Sequence, residues 1–495
     1  MLLWALCSVL TVFTCSGNCT TSTSSAHSGL EVKTESGVLY GFVNSSTPSV
    51  RQFLGIPFSL PPTGAKRWLR PLKLQSNAYI PATNIGPACP QLLITSGALN
   101  TSVFSPNGGE ITESFPLETF SEDCLTLNVW APDNQLEAMP VFVWFFGGGF
   151  IQGGTSSPFF NPQSWVQRTR EHIVVTVNFR SNIFGFPNAI DLEDQNLGLL
   201  DQRLALEWVR DNIAKFGGDP LKIVAWGESA GAIAIDYLNL AYPDDPIVSG
   251  NIMGSGTALF EPQSLRLTSD TTYSNFTTVA KAFNCTIAAR QTDCLRNVSW
   301  QTIERYLGTE AAQHFTFLPV ADERVVFQDY PQRYEISASS LVPAIIGSNQ
   351  HELNVFKDHA SADILDALAN KTFLCTAAKT SQLRQAYSRT TYRYRYDGDF
   401  SNISPAGFPG AYHSSELPLI FGTAGNFHGE STIYEDIVGV YIQDLWLEFA
   451  KDPENGLKKA SWGPYSESRA VILGDVHEPL KHLDVSELDS VCASL

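Results

Sequence analysis

At 495 residues, with 43% apolar and 11% aromatic content, the chain can bury a large core in one big domain or two, which excludes disorder as a whole. Lys and Arg number 32 against 50 Asp and Glu, a formal charge of -18, so nucleic acid and anionic membrane faces are repelled and neutral or cationic small molecules suit it better. No stretch approaches the roughly 18 consecutive apolar residues of a membrane span, and no stable membrane insertion is expected.

The apolar run at residues 2–15 reads as a secretory signal, although no Lys or Arg precedes it, with cleavage near Gly17 or Cys19. Taking 1–19 as the signal leaves 20–495 as a single catalytic domain. Cys7 and Cys15 go with the signal, and cutting after Cys19 leaves Cys89, Cys124, Cys285, Cys294, Cys375 and Cys492. An even number of cysteines fits three disulfides in an oxidising compartment. Sequons at Asn18, Asn44, Asn100, Asn275, Asn284, Asn297, Asn370 and Asn402 agree with a secreted glycoprotein.

The first 135 residues read as strand-rich, with a hairpin over 36–43 and a strand over 125–130. Residues 140–146 form an apolar, aromatic run of the kind expected for a fully buried strand, and it empties into Gly147-Gly148-Gly149-Phe150. Three successive glycines let backbone N–H groups approach a substrate carbonyl, as an oxyanion loop requires. A phosphate loop is the rival reading, but no Gly-Lys-Ser/Thr follows and no dinucleotide fingerprint is present. Strand 172–178, amphipathic helix 204–216 and strand 221–226 then give the rhythm of an α/β sheet with crossover helices.

Directly after that strand stands Gly227-Glu228-Ser229-Ala230-Gly231, followed by the helix-like stretch 232–240. A Gly-x-Ser-x-Gly between strand and helix reads as a nucleophile elbow: the turn leaves no room at the outer positions, while Ser229 projects at the sheet's carboxyl edge. Its amide and that of Ala230 lie where helix-end charge favours an oxyanion. Glu228 lines the site or serves structure. The region 264–328 is more polar, holds Cys285 and Cys294, and reads as a cap insertion.

Chemistry needs a carboxylate at a late strand end and a histidine beyond it, in the order Ser, acid, His. Strand 341–346 delivers Gly347-Ser348-Asn349-Gln350-His351-Glu352, which makes Glu352 the acid; Asp358 and Asp363 lie further from the strand end. His413, in a turn leading into a helix-like stretch, is the base candidate, with His428 its nearest rival and His477 and His482 in a polar tail. No His pair stands at ligand spacing, so neither metal nor cofactor is expected. Residues 436–450 read as a long helix with Ile437, Val440, Tyr441, Leu445, Trp446 and Phe449 on roughly one face.

Segments 53–58 (Phe-Leu-Gly-Ile-Pro-Phe), 121–129 (Ser-Glu-Asp-Cys-Leu-Thr-Leu-Asn-Val), 147–150, 177–180 (Val-Asn-Phe-Arg), 196–202 (Asn-Leu-Gly-Leu-Leu-Asp-Gln), 216–220 (Phe-Gly-Gly-Asp-Pro) and 227–231 together carry a resemblance over nearly the whole chain. The sequence resembles the type-B carboxylesterase/lipase family, the cholinesterase-like branch of the α/β-hydrolases, and in its motifs the secreted fungal carboxylesterases and lipases. The resemblance implies an α/β-hydrolase fold with a large, mostly parallel sheet and the triad Ser229, Glu352 and His413. It also implies oxyanion amides at Gly148, Gly149 and Ala230, and disulfides Cys89–Cys124, Cys285–Cys294 and Cys375–Cys492. The family's Asp-Glu-Gly around the acid reads His351-Glu352-Leu353 here, and Phe146 stands where a histidine often precedes the glycines. Between Cys89 and Cys124 there is no tryptophan, so the choline site of cholinesterases is not implied. That loop, 89–124, resembles a lipase lid: it mixes Leu92, Phe104 and Phe115 with Glu110, Glu113 and Glu118 and holds no Lys or Arg. A rigid rim loop is the equal alternative.

A secreted serine hydrolase of neutral carboxylic esters is therefore expected, a carboxylesterase or lipase-like enzyme. A tailoring esterase, lactonase or acyltransferase of a specialised metabolite would use the same triad. A non-catalytic binding protein is least favoured, because every catalytic position is filled.

Overall fold

Met139–Phe145 has no charged side chain, and all seven of its residues are buried. A strand of this kind needs partners on both edges and cover on both faces. It finds them at the centre of an eleven-stranded sheet. The structure, a computed structural model, describes residues 29–91, 120–133, 138–260, 269–337, 341–356, 360–403, 410–426 and 429–494.

In chain order the first strands are β1 (Glu31–Thr34), β2 (Gly37–Tyr40), β3 (Phe42–Val43), β4 (Val50–Pro57) and β5 (Tyr79–Pro81). Next come β6 (Thr126–Pro132), β7 (Met139–Phe145), β8 (Ile173–Val177), β9 (Gly218–Glu228) and β10 (Gly250–Gly254). The last are β11 (Ala344–Asn349), β12 (Thr391–Tyr396), β13 (Arg469–Leu473) and β14 (Leu480–Asp484). The large sheet runs β14-β13-β12-β11-β10-β9-β7-β8-β6-β4-β3. From β8 through β13 every neighbouring pair is parallel. The antiparallel pairs lie at the two ends. This is the mixed, mostly parallel sheet of an α/β-hydrolase.

The hairpin expected over 36–43 is drawn differently. β2 pairs back onto β1 through Thr34↔Gly37, whereas β3 leaves that small sheet and pairs with β4. Gly41 marks the divide, because a Cβ there would lie 2.6 Å from the Gln52 carbonyl and the Phe53 ring.

Helices bury the sheet. Ala230–Ala241 is apolar nearly all round and buried along its length up to Leu240, as a helix wedged into a core must be. Leu197–Asn212 starts earlier than the pattern suggested and continues as a 3-10 turn, Ile213–Phe216. The Trp226 ring lies 4.4 Å from Trp144 and 4.7 Å from Phe421, placing an aromatic cluster against β7 and β9.

The long carboxyl-terminal helix, Ile433–Lys451, is closed at its start by a capping box of Thr432 and Glu435. Its buried face differs from the expected one: Leu445, Trp446 and Phe449 are inside, but Ile437, Val440 and Tyr441 are exposed. Val438, Gly439, Ile442 and Gln443 take their place. Gly439 and Gln443 lie against Leu419, Gln443 donating to its carbonyl, so packing against Leu417–Phe421 rotates the helix relative to a purely hydrophobic reading.

Disulfides join Cys89 to Cys124, Cys285 to Cys294 and Cys375 to Cys492. The region expected to form a cap contains helices Ser274–Ala282, Gln291–Leu295 and Trp300–Leu307. Asn196 stitches its far end to the body by accepting from the Val320 amide and donating to the Val320 carbonyl. Among the sequons, Asn284 and Asn297 are exposed, while Asn44, Asn275 and Asn370 are half-buried. Asn402 corrects the sequence reading: it is buried, and its amide donates to the Ala424 carbonyl and Glu435, leaving no room for a glycan. The expected signal 1–19, Asn18, Asn100, the stretch 92–119 of the expected lid loop, residues 264–268 of the expected cap, Asp358 and His428 lie outside the described residues. Among the described residues no helix is long and apolar enough to cross a membrane.

Candidate active site

β9 ends on Glu228, and the helix Ala230–Ala241 begins two residues later. Ser229 bridges them at φ 56° and ψ -125°, a strained conformation that persists only where the surroundings impose it. The glycines are the means. A Cβ on Gly231 would lie 2.0 Å from the Phe145 carbonyl oxygen, and one on Gly227 2.6 Å from the Gly231 carbonyl carbon. Gly147 is equally constrained, since a Cβ there would reach 2.9 Å from the Ser229 Cβ. The Ser229 amide donates to the Gly254 carbonyl at 2.8 Å, tying the elbow to β10.

Glu352 follows the end of β11 and opens the 3-10 turn Glu352–Phe356. Its side chain is buried, and its Oε1 accepts from the Ser255 hydroxyl at 2.7 Å and the Asn349 amide at 2.8 Å. Oε2 faces His413 Nδ1 at 2.5 Å. The imidazole's other nitrogen, Nε2, stands 2.9 Å from Ser229 Oγ. With Nδ1 as donor to the carboxylate, Nε2 is left to accept the serine proton. The backbone supports the same arrangement, for the His413 amide donates to the Glu352 carbonyl at 3.1 Å. The Phe373 ring packs 5.0 Å from the imidazole.

Two further carboxyls surround this pair. Glu228 is fully buried, with Oε1 3.3 Å from His413 Nε2, and burial pushes its pKa up to about 7. Glu416, three residues beyond the histidine, is pushed up to about 8 by burial and by the charge of Glu228. It is held by Asn349, whose amide nitrogen donates to Glu416 at 2.6 Å and to the Tyr412 carbonyl at 2.7 Å. Burial alone would lower the His413 pKa. The charges of Glu228 and Glu352, the Glu352 hydrogen bond and the charge of Glu416 outweigh it and push the pKa up to about 9. Groups this close titrate together, so neutralising Glu228 and Glu416 relaxes the pull on the imidazole.

Gly148, at φ 103°, and Gly149, at φ 64°, follow β7 and stand beside the elbow. Among the described residues no acceptor takes the amides of Gly148, Gly149 or Ala230.

The structure thus brings together Ser229, His413, Glu352 and Glu228, with the three glycine-rich-loop and helix-end amides alongside. It leaves Asp363, His477 and His482 exposed and apart. His351 is engaged elsewhere, its Nδ1 3.0 Å from Asp366. Sequence reasoning missed Ser255, Asn349 and Glu416. Gly254-Ser255-Gly256 at the end of β10 carries a signal for the first, a polar residue between glycines at a strand end. Asn349 and Glu416 have none, because only the fold brings them together across 67 positions.

The model of the carboxylesterase family matches residues 28–363. A chlorogenic acid esterase of Aspergillus niger is 38% identical over 443 residues, covering 86% of this chain and 84% of its own. Secreted lipase 5 of Gibberella zeae is 37% identical, covering 89% and 88%. A para-nitrobenzyl esterase of Bacillus subtilis is 29% identical over 88% of this chain and 94% of its own.

Proposed function

The chain belongs to the carboxylesterase family and is a carboxylic ester hydrolase, and from that premise we propose that Ser229, His413 and Glu352 carry the hydrolysis through a covalent acyl-enzyme. The observation that carries this reading is the continuous hydrogen-bonded line from Ser229 Oγ through His413 to Glu352, 2.9 and 2.5 Å long. Ser229 Oγ attacks the ester carbonyl as His413 Nε2 takes its proton, and the amides of Gly148, Gly149 and Ala230 hold the oxyanion. Collapse breaks the bond to the alcohol, which leaves with the proton that His413 returns. Water, deprotonated by the same nitrogen, then releases the acid. Glu352 keeps the imidazole in the working tautomer and stabilises its charged form.

Neutral esters fit the acidic chain and the buried acids around the base, which would disfavour an anionic acyl group. Secretion is supported by the apolar segment at residues 2–15 and by the secreted lipase to which the chain is similar. The test is turnover of p-nitrophenyl esters from acetyl to palmitoyl, and of chlorogenic acid, by the protein and by Ser229→Ala. The mutant should lose roughly 10⁴-fold or more in kcat. Near-normal turnover by the folded mutant would reject the assignment, and a wild-type protein inactive on every ester would move the weight to lactones or acyl transfer.

A further inference from the structure

Two of the oxyanion amides proposed above, those of Gly148 and Gly149, sit on a loop that makes little regular structure of its own. Its first half is a tight turn: the amides of Ile151 and Gln152 both donate to the Gly148 carbonyl, at 3.1 and 3.2 Å. Gly148 can close this turn only because it lacks a side chain, since a Cβ would lie 2.2 Å from the Gln152 carbonyl oxygen. The orientation of Gly148 is therefore bound to that of Gln152 and of the next residue, Gly153. Gly153 itself lies under the loop's start, where a Cβ would meet the Phe146 ring at 2.5 Å and the Gly147 carbonyl at 3.0 Å.

What holds Gly153 is a side chain from a distant segment. Gln91 is buried, and its carboxamide pairs with both backbone groups of Gly153. The nitrogen donates to the Gly153 carbonyl at 2.8 Å and the oxygen accepts from the Gly153 amide at 2.7 Å. A second donation, to the Cys89 carbonyl at 3.0 Å, fixes the carboxamide against the segment anchored by the Cys89–Cys124 disulfide. The side chain thus does what a neighbouring strand would do, pairing both the donor and the acceptor of the half-buried Gly153 backbone. No other side chain has this shape: a carboxylate lacks the donor, and an aliphatic chain lacks both.

We propose that Gln91 is a positioning residue for the oxyanion hole, clamping Gly153 and, through the Gly148–Gly153 turn, fixing the direction of the Gly148 and Gly149 amides. The proposal rests on the oxyanion assignment given above. Oxyanion donors act in the transition state and little on the bound substrate, and removal of one costs about 10²–10³ in kcat. Misdirecting them should cost less, about 10- to 100-fold.

The test uses two variants that keep the side-chain length, Gln91→Met and Gln91→Glu, in the full chain, with thermal unfolding followed in parallel. Turnover of p-nitrophenyl butyrate and inhibition by an aliphatic trifluoromethyl ketone, which forms a hemiketal oxyanion on the serine, are measured for each. Expected are a 10- to 100-fold fall in kcat, a KM within about twofold of the parent, and a loss of inhibitor affinity matching the loss of kcat/KM. Unchanged kcat, a loss confined to KM, or inhibitor affinity that stays while kcat falls would each overturn the proposal. Failure of both variants to fold would also overturn it, by making Gln91 a folding determinant. The underlying reading is checked separately: if the ketone does not inhibit the parent, or Ser229→Ala retains activity, the oxyanion assignment itself has failed. If the ketone inhibits the parent, Ser229→Ala is inactive and the Gln91 variants match the parent, only the role of Gln91 falls.

Discussion

Ser229 and His413 stand 2.9 Å apart, yet they are held by different physics. The elbow is a short-range object. Strand, serine and helix are contiguous, and the geometry is enforced by exclusion, with Phe145, Gly147 and Gly231 packed so closely that no Cβ fits between them. The proposed acid–base side is long-range. Glu352 and His413 lie 61 positions apart on separate turns and are aligned by buried polar groups: Ser255, Asn349, Glu416 and backbone amides. The difference teaches where each half is vulnerable. Hard contacts tolerate no added atom but do not respond to pH, whereas a network of buried carboxyls accepts isosteric change but carries its charge balance into the reaction.

The harshest way to break the comparison is a single methyl at the elbow. Gly231→Ala places a Cβ against a backbone carbonyl that cannot move without shifting β7, so loss of folded protein is expected. Yield and thermal unfolding measure it, and a stable, active variant would show that the elbow is softer than its contacts imply. On the other side, Glu352→Gln keeps the volume but removes the charge and admits the wrong imidazole tautomer. A fall of roughly 10³- to 10⁴-fold in kcat is expected with the fold intact. A loss under tenfold would mean that Glu228 or Glu416 can stand in for the acid.

The smallest effect is the most specific to the network. The Glu228 carboxylate raises the His413 pKa, and the proposed base works only when neutral, so the acid limb of kcat/KM should follow that pKa. Glu228→Gln removes the raising charge, the imidazole pKa falls, and the limb should move to lower pH. A pH–rate profile that stays in place, or moves upward, would show that Glu228 does not act on the base through its charge.

Much of this was legible in the chain itself. The elbow, the glycine loop, the proposed acid after β11 and the alternation of buried strands with helices are local patterns, and local patterns are set by sterics and periodicity within a few residues. Glu352 could be found because a strand end is a local feature. His413 was reachable only as one histidine among several, since nothing near it in the sequence says what it will face.

What the tertiary structure decided lies in pairings between distant segments. It rotated the helix Ile433–Lys451 so that Ile437, Val440 and Tyr441 face outward, because Gly439 and Gln443 fit against Leu417–Phe421 better than a full apolar stripe would. It buried Asn402 under Glu435, which its Asn-x-Ser pattern could not foretell. Gln91 was likewise set on Gly153, and Asn349 against Tyr412 and Glu416. A buried polar group must find its partner wherever the folded chain supplies one, and that location is a property of the assembled core, not of the residues beside it.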